Sequence, residues 1–335
     1  MNMTSIGDLA QNMMLRHRSV QIKQTIGTLT DELSSGRVSD LSARLKDDFS
    51  YLTDIDRNLA RLEAFSVASK EAAFFADASQ VSIGQLHELS TALSGSLISF
   101  NAPTHAPLGS HIALQARGNL DTAISLLNSS TGGRSLFAGT ATDRAPLASA
   151  DVMLGELETI VSGLGSSAAI ETAVADWFAD PSGFRAVMYS GSDDTLAPIR
   201  IGQGQEVALT LKADDQAFQD LLQNLALVAM AGDESLGFGQ GVQDDLFETA
   251  TEGLLNTQDK LAAVRSDLGF AQFRIEETTI RNASARTGLE YSKGSLLEAD
   301  PFETAIRLEE AQFQLESLYA VTVRSSQLSL LNFMR

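Results

Sequence analysis

The sequence predicts a mainly α-helical protein. Long antiparallel, coiled-coil helices are expected at both chain termini, with a small antiparallel β-containing insert in the middle. Proline is absent from residues 1–102 and 199–300, so long helices are permitted there. Apolar residues near both ends recur at spacings of three and four, the period of an amphipathic helix. Between about 134 and 212 this period is lost, and glycine-containing turns separate short apolar runs.

The N-terminal helix is predicted over residues 5–34. Its stripe consists of five apolar residues: Leu15, Ile22, Ile26, Leu29 and Leu33. Their heptad-like spacing is typical of a helix that packs along a partner helix. The helix is expected to end at Ser34-Ser35-Gly36, because glycine readily adopts the left-handed conformation that follows a helix C-terminus.

The helices around the insert are predicted from the same period. A stripe that starts at Leu45 and Phe49 predicts a helix that continues to about residue 99. Turn residues predict a loop over residues 101–107. The other predicted helices cover residues 109–129, 218–228 and 241–290.

The strands of the insert are predicted from short runs of β-branched and aromatic residues between turns. These runs cover residues 135–138, 184–189, 199–201 and 207–211. Residues 150–180 are instead expected to mix short helical pieces with loops. The middle of the chain is therefore predicted to differ in structure from both ends.

The last helix is predicted from Pro301 to the end of the chain. Asp300 is a good N-cap, proline is tolerated in the first turn, and Glu303 can complete a capping box. An uninterrupted helix from there would extend about 50 Å. Its stripe contains Leu308, Ala311, Leu315 and Leu318. Since a helix this long must bury its stripe, we expect the two terminal helices to pair.

Charge and composition exclude several classes of function. The formal net charge is −19, and residues 135–260 hold five basic and twenty acidic residues. So acidic a surface repels phosphate backbones, which argues against nucleic acid as a partner. No apolar run approaches about 18 residues, and the first residues lack the basic and apolar regions of a signal peptide. We therefore expect neither membrane insertion nor a cleaved signal.

No catalytic or metal-binding constellation is apparent in the sequence. The chain has no cysteine, which excludes disulfides, thiolate metal sites and cysteine nucleophiles. The histidines are His17, His87, His105 and His111. They lie far apart except for the last two, and no nearby carboxylates are spaced to complete a metal site with His105 and His111. The acidic doublets do not follow the calcium-loop pattern. We expect a protein that is not an enzyme and has no cofactor or metal, with Met13, Met14 and Trp177 as core residues.

Short motifs at both ends and in the middle form an ordered set. Ser34, Ser35 and Gly36 follow the first helix, and Asp47-Asp48 comes shortly after them. The middle motifs are Gly133-Arg134-Ser135-Leu136-Phe137-Ala138-Gly139 and Tyr189-Ser190-Gly191, and the chain closes on Ser329-Leu330-Leu331-Asn332-Phe333. With these motifs the chain resembles the flagellin superfamily. Within that superfamily it resembles the hook-associated protein 3 family, the hook–filament junction proteins.

The resemblance implies a structural subunit that joins the hook, through the first hook-associated protein, to the flagellin filament. It implies export by the flagellar type III apparatus, with an export chaperone, and assembly outside the cell as a ring-like homo-oligomer. Three domains are implied: a terminal coiled-coil domain (1–40 with 296–335), a helical rod domain (41–133 with 213–295) and an outward-facing acidic insert (134–212). Residues 41–46 match neither junction proteins nor flagellins well. A flagellin is therefore an alternative, and a cytoplasmic acidic helical-bundle binding module is a second one.

The predicted assembly interface comprises the stripes of both terminal helices. Its residues are Leu15, Ile22, Ile26, Leu29, Leu33, Leu308, Leu315, Leu318, Leu331 and Phe333. Such stripes could also form the core of a monomeric bundle, which is our interpretation for the helices at 45–99, 109–129 and 241–290. For the terminal helices, packing between subunits is favoured, because residues 1–40 hold four basic and four acidic residues and so have no net charge.

Overall fold

The computed structural model describes residues 3–100 and 106–333. Its helices are α1 (Met3–Ser35), α2 (Leu41–Leu45), α3 (Ser50–Phe100), α4 (Ala106–Leu127), α5 (Ala150–Val161), α6 (Ser167–Ala179), α7 (Phe184–Val187), α8 (Gln216–Ala231), α9 (Gln240–Leu297) and α10 (Pro301–Phe333). The strands are β1 (Ser130–Thr131), β2 (Arg134–Ser135), β3 (Ile199–Gly202) and β4 (Gln205–Val207). Strand β1 pairs antiparallel with β2, and β3 pairs antiparallel with β4. The predicted fold class is confirmed.

The chain divides into two compact units. The terminal unit comprises residues 1–61 with 284–335, and the central unit comprises residues 62–283. The central unit contains most of the predicted rod domain and the whole segment predicted as a separate insert. The division into three domains therefore stays a prediction.

In the terminal unit, α1 and α10 run antiparallel. Gly36 ends α1 in the left-handed region (φ 67°), and its N–H donates to the Glu32 carbonyl at 2.8 Å. The Gly36 carbonyl accepts from the Ala299 N–H at 2.9 Å, so the end of α1 lies beside the start of α10. Asp300 caps that start, because its Oδ1 accepts from the Phe302 N–H at 2.9 Å. The predicted ends at Gly36 and Asp300 are confirmed.

The continuous helix expected from Leu45 onward is wrong at its start. Leu45 instead ends the short helix α2, and Lys46 and Asp47 follow with positive φ values of 52° and 63°. Asp48 Oδ1 then accepts from the N–H and the hydroxyl of Ser50, at 3.0 and 2.5 Å. Such local side-chain bonds compete with helical bonds, so α3 begins only at Ser50.

The central unit has one hydrophobic core, to which α3, α4, α5, α6, α8 and α9 all contribute. Helix α8 is buried along almost its whole length. Large side chains with less than 2% exposure include Leu93, Leu120, Leu154, Leu157 and Phe218. Trp177 is 8% exposed, which confirms its prediction as a core residue. The short helices α5 and α6, predicted only loosely, pack on this same core.

The strand predicted at residues 184–189 is wrong, because residues 184–187 form the helical turn α7. Phe184 stacks on Phe178 with ring centroids 5.1 Å apart and packs edge-on against Trp177 at 6.1 Å. A helical turn directs Phe184 into this aromatic cluster and leaves Arg185 in solvent. Sequence pattern alone does not distinguish such a short apolar turn from a strand.

The other predicted strands are correct in part. Strand β3 confirms the prediction for residues 199–201, whereas β4 ends at Val207 instead of continuing to 211. Of residues 135–138, Ser135 lies in β2 and Ala138 forms an isolated antiparallel bridge with Lys212. The β structure is therefore smaller than predicted.

The loop predicted at 101–107 can be compared with the structure only at its end. Residues 101–105, including His105, lie outside the described residues, and Ala106 and Pro107 belong to α4. No helix in the described ranges is long and apolar enough to cross a membrane.

Candidate functional site

The two terminal stripes meet along a narrow seam between α1 and α10. Ile22, Leu29 and Ala311 are buried in this seam, each with 6–7% exposure. The side chains that flank them are partly buried: Ile26, Leu308, Leu315 and Leu318. Six of the residues predicted for the assembly interface thus lie together in one seam within a single chain.

The remaining predicted interface residues lie elsewhere on the same helices. Leu15 is partly buried, whereas Leu33 is 42% exposed. Leu331 and Phe333 belong to the last turns of α10, and their side chains lie outside the described part of the chain. The seam therefore contains the middle residues of the predicted stripes. An interface role for the residues at the ends of the stripes stays a prediction.

Polar groups border the seam. The Lys23 ammonium lies 5.8 Å from the centroid of the Tyr319 ring, at a distance suited to a cation–π contact. Hydrogen bonds from Lys23 and then Ser19 lower the pKa of the Tyr319 phenol. Both partners lie on α1, so these contacts link α10 to α1 beside the seam.

The outer faces of α1 and α10 carry more large apolar side chains than the seam buries. Met13 and Met14 are 73% and 72% exposed, so their prediction as core residues is wrong. Further exposed side chains are Val20, Phe302, Ile306, Phe313, Val321 and Val323, with exposures of 53–82%. Exposed apolar surface on this scale marks a binding surface. The terminal unit is therefore suited to packing against additional chains.

Several of the middle motif residues meet in a region we call the neck (residues 137–140, 189–194 and 212–215). The Phe137 carbonyl accepts from the Ala213 N–H at 2.8 Å, and the Ala138 carbonyl accepts from the Ser192 N–H at 2.9 Å. The Asp194 carbonyl accepts from the Thr140 N–H at 3.0 Å. Backbone bonds thus join all three segments of the neck.

Two glycines of the neck are required by close packing. Gly139 has φ 61°, and a Cβ there would lie 2.5 Å from the Asp194 carbonyl oxygen. A Cβ at Gly191 would collide with the Tyr189 ring, whose hydroxyl donates to the Ser192 carbonyl at 2.9 Å. The motif residues Gly139, Tyr189 and Gly191 therefore form a tight backbone junction.

Charged groups surround this junction. Lys212 Nζ lies 3.1 Å from Asp214 Oδ1, and Arg185 pairs with both Asp193 and Asp214. Burial raises the pKa of Tyr189, and the nearby carboxylates, Asp214 first among them, raise it further. No local sequence pattern predicts this ion cluster, because its members are dispersed between positions 185 and 214.

The other motif residues form turns at separate places. Gly132 and Gly133 adopt positive φ values in the β1–β2 hairpin, and Arg134 beyond them pairs with Glu71 at 2.7 Å. The hydroxyl of Ser34 donates to the Asp31 carbonyl, and the Ser35 hydroxyl accepts from the Arg37 N–H. The motifs thus support turns and packing rather than one chemical site.

The described residues contain no group of three or more histidine, aspartate or glutamate side chains that could hold a metal ion. Of the histidines within these ranges, His17 lies on α1, His87 on α3 and His111 on α4.

The C-terminal third matches a known family. Residues 253–334 match the family model of the bacterial flagellin C-terminal helical region. This segment includes most of α9 and the whole described length of α10, which forms one side of the seam. The match defines this part of the chain as flagellin-like.

In its fold, the chain is similar to a flagellar hook-associated protein from Vibrio parahaemolyticus. The TM-score is 0.55 at 12% identity, over 75% of this chain and 99% of that chain. FlgL from Bacillus cereus matches with a TM-score of 0.40 and 11% identity, over 74% of this chain and 97% of that chain, which is too distant to support an argument. No curated protein matches the sequence. The family match thus shows a flagellin-like helical region over residues 253–334, and the similarity to the Vibrio structure shows a shared fold.

Proposed function

We propose that this chain is a structural subunit of the bacterial flagellum that joins the first hook-associated protein to the flagellin filament. The proposal rests on the exposed apolar surface of the terminal unit. Its seam buries a few side chains, while many large apolar side chains on α1 and α10 remain exposed. Such a surface requires neighbouring chains to cover it. The flagellin-like C-terminal segment supports neighbours of the axial type.

We assign the three predicted domains different roles in this proposal. Residues 1–40 with 296–335 pack against other subunits, and residues 41–133 with 213–295 form a stiff rod. Residues 134–212 face solvent. The excess of acidic over basic residues between positions 135 and 260 supports the last role, because like charges favour separation in water.

The partners follow from the same proposal. Copies of this chain form a ring, with the first hook-associated protein on one side and flagellin on the other. The chain leaves the cell through the flagellar type III apparatus, with help from an export chaperone. No enzymatic step, cofactor or nucleic acid enters this role.

A flagellin is the second candidate, because the matching family model describes the flagellin C-terminal region itself. The two candidates differ in copy number, since a junction subunit forms one ring and a flagellin forms a whole filament. A cytoplasmic binding module differs from both in location.

Immunogold labelling of sheared flagella, combined with quantification of the chain against flagellin, tests the proposal. We expect gold at one point between hook and filament and a copy number far below that of the filament subunit. Label along the filament would identify a flagellin. Absence from the appendages, with the chain retained in the cytoplasm, would favour the binding module.

A further inference from the structure

A polar groove of about 500 Å³ lies on the central unit between α6, α8 and α9. Each helix contributes one carboxylate to its lining: Glu171 on α6, Asp220 on α8 and Glu252 on α9. Lys260 is the one basic residue among the described residues that line it, and it pairs with Asp220. Small-molecule sites in proteins have volumes of about 300–1,000 Å³. The groove therefore has the size of a binding site and a net negative charge.

The groove contains a buried amide oxygen that accepts no hydrogen bond. Asn224 lines the groove on α8 and is 7% exposed. Its Nδ2 donates to the Asp220 carbonyl at 2.7 Å, which fixes the orientation of the amide, because a carbonyl oxygen can only accept. Asn224 Oδ1 has no donor among the residues that the structure describes. Since buried polar atoms in proteins are almost always hydrogen-bonded, this oxygen marks a place that an N–H group of a ligand would stabilise.

Gly253 makes room for this amide. A Cβ at position 253 would overlap the Oδ1 and Cγ atoms of Asn224. Gly253 lies in the interior of α9, where glycine lowers the stability of a helix compared with alanine. The glycine thus allows the Asn224 amide to lie directly against α9, next to Glu252.

The hydroxyl donors of the groove already have acceptors, whereas its carboxylates do not all have donors. The Thr172 and Thr257 hydroxyls donate to carbonyls one turn earlier in their own helices, and the Thr249 hydroxyl donates to Glu171 Oε1 at 3.0 Å. Within the described residues, neither Glu171 Oε2 nor the Glu252 carboxylate has a hydrogen-bonding or ionic partner. Thr249 and Glu252 are three positions apart and so share a face of α9, which brings the two free acceptors to the same part of the groove.

This arrangement favours a cation with several N–H donors. A guanidinium group is planar, has five N–H donors in a fixed arrangement, and is more weakly hydrated than an ammonium group. The free acceptors lie on three different helices, so a planar group with donors on several edges fits them better than a point charge does. Residues 135–260 hold twenty acidic and five basic residues, and their field attracts cations.

We propose that this groove binds a guanidinium group, carried either by a small free compound or by an arginine side chain of a peptide. Glu171 and Glu252 pair with its charge, and Asn224 Oδ1 accepts from one of its N–H groups. All of the groove residues belong to the central unit, so the site goes beyond the proposed structural role and does not depend on it.

Isothermal titration calorimetry of the full chain with three matched compounds tests the proposal. Butylguanidine is a small free guanidinium compound, Nα-acetylarginine amide carries the group on a peptide-like backbone, and Nα-acetylcitrulline amide replaces it with a neutral urea of similar shape. At low ionic strength, where charges are screened least, we expect saturable binding of a guanidinium compound and at least about tenfold weaker binding of the citrulline compound. Tighter binding of butylguanidine would indicate a free compound as the ligand, and tighter binding of Nα-acetylarginine amide would indicate an arginine side chain.

Charge-matched variants locate the binding. Glu252→Gln removes one carboxylate at an exposed position and should weaken binding of the tighter guanidinium compound by about tenfold or more. Glu276→Gln makes the same change in charge about 36 Å further along α9 and should leave the affinity unchanged.

Asn224→Leu removes the amide oxygen at similar side-chain volume and should also weaken binding, in a chain whose circular dichroism spectrum matches that of the parent. Because Glu252 is exposed, its variant tests the site even where the Asn224 variant fails to fold. Lack of saturable binding to the parent chain, equal binding of the citrulline compound, or equal affinities of the Glu252→Gln and Glu276→Gln variants would overturn the assignment. None of these outcomes changes the expected position of the chain in immunogold labelling, so the proposed function is tested separately.

Discussion

The two units of this chain stabilise themselves in different ways. The central unit surrounds α8 with side chains from several helices, and Leu221, Leu222 and Leu225 have no exposed surface. In the terminal unit, the described residues of α1 and α10 pack along a seam in which Ile22, Leu29 and Ala311 are buried. The same chain thus contains a region with a large core built from several helices and a region in which two long helices pair along one stripe each.

This difference has a physical consequence. A pair of helices buries one stripe of each, and long helices in water depend on such burial for their stability. The outer faces of α1 and α10 remain apolar, so their stability should rise when neighbours cover them. We therefore expect the terminal unit to have a low free energy of unfolding in the monomer and a higher one in the assembly.

The largest expected effect is on assembly. Leu315→Asp or Leu318→Asp removes an apolar contact of about 1.5–3 kcal/mol and adds a carboxylate to the seam. In the proposed ring every copy carries the same lesion, so we expect bare hooks and an accumulation of flagellin in the medium. Electron micrographs of hooks and immunoblots of culture supernatant measure this. Gln314→Glu, which adds the same charge at an exposed neighbour, is the control. Normal filaments in the Leu315→Asp variant would show that the seam is dispensable.

The sequence pattern predicts the residues of the seam correctly, but it does not predict the break in the helix at residues 46–49. The spacing of Ile22, Ile26, Leu29, Leu308 and Leu315 is enough to define which faces meet, because a helical period fixes which residues share a face. The same argument failed at Lys46 and Asp47, where the Asp48–Ser50 hydrogen bonds end the helical path. A hydrophobic period does not encode that local competition.

Long-range packing was the other part that the sequence did not define. Phe184 was predicted in a strand, but contacts with Phe178 and Trp177 stabilise a helical turn. The neck cluster around Lys212 and Asp214 joins segments that are far apart in sequence. Such pairings depend on the tertiary fold, which no local pattern encodes.

The second prediction concerns dynamics in the unassembled chain. Amides in α1 and α10 should exchange with solvent at least about 1,000-fold faster than those of α8, since weakly packed elements open locally and core helices open only with global unfolding. Hydrogen–deuterium exchange on a verified monomer measures the ratio. Equal protection in α1, α10 and α8 would contradict the proposed difference between the units.

The third prediction compares two leucine-to-alanine substitutions, one in each unit. Leu222→Ala, at a position with no exposed surface in α8, should cost about 2–5 kcal/mol of the free energy of unfolding. Leu29→Ala removes the same atoms from the seam and should leave the main unfolding transition of the monomer within about 0.5 kcal/mol, because the central unit dominates it. Urea titration measures the free energy of unfolding of both variants and so shows which unit determines the main transition. A similar loss in both would mean that they unfold as one.

A smaller effect is expected at the neck. Tyr189→Phe removes the hydrogen bond from the phenol to the Ser192 carbonyl and should cost about 0.5–1.5 kcal/mol. Tyr291→Phe is the control, since Tyr291 is 80% exposed. Thermal melting of both variants makes the measurement, and equal melting temperatures would show that this bond contributes nothing to the junction.

The smallest effect depends on pH. Burial raises the pKa of Asp215, and the neighbouring Asp214 carboxylate raises it further. A carboxyl group whose folded pKa is raised binds protons more readily in the folded state, so its contribution favours folding at low pH and is lost as pH rises through that pKa. Asp215→Asn keeps an oxygen that can accept from the Lys212 N–H and has no charge to desolvate. The variant should therefore gain stability over the parent at pH 7, and the gain should disappear below the ordinary pKa of aspartate. Urea midpoints of both proteins across this range give the measurement. A gain that grows toward acid would show that the Asp215 carboxylate is stabilised in the fold.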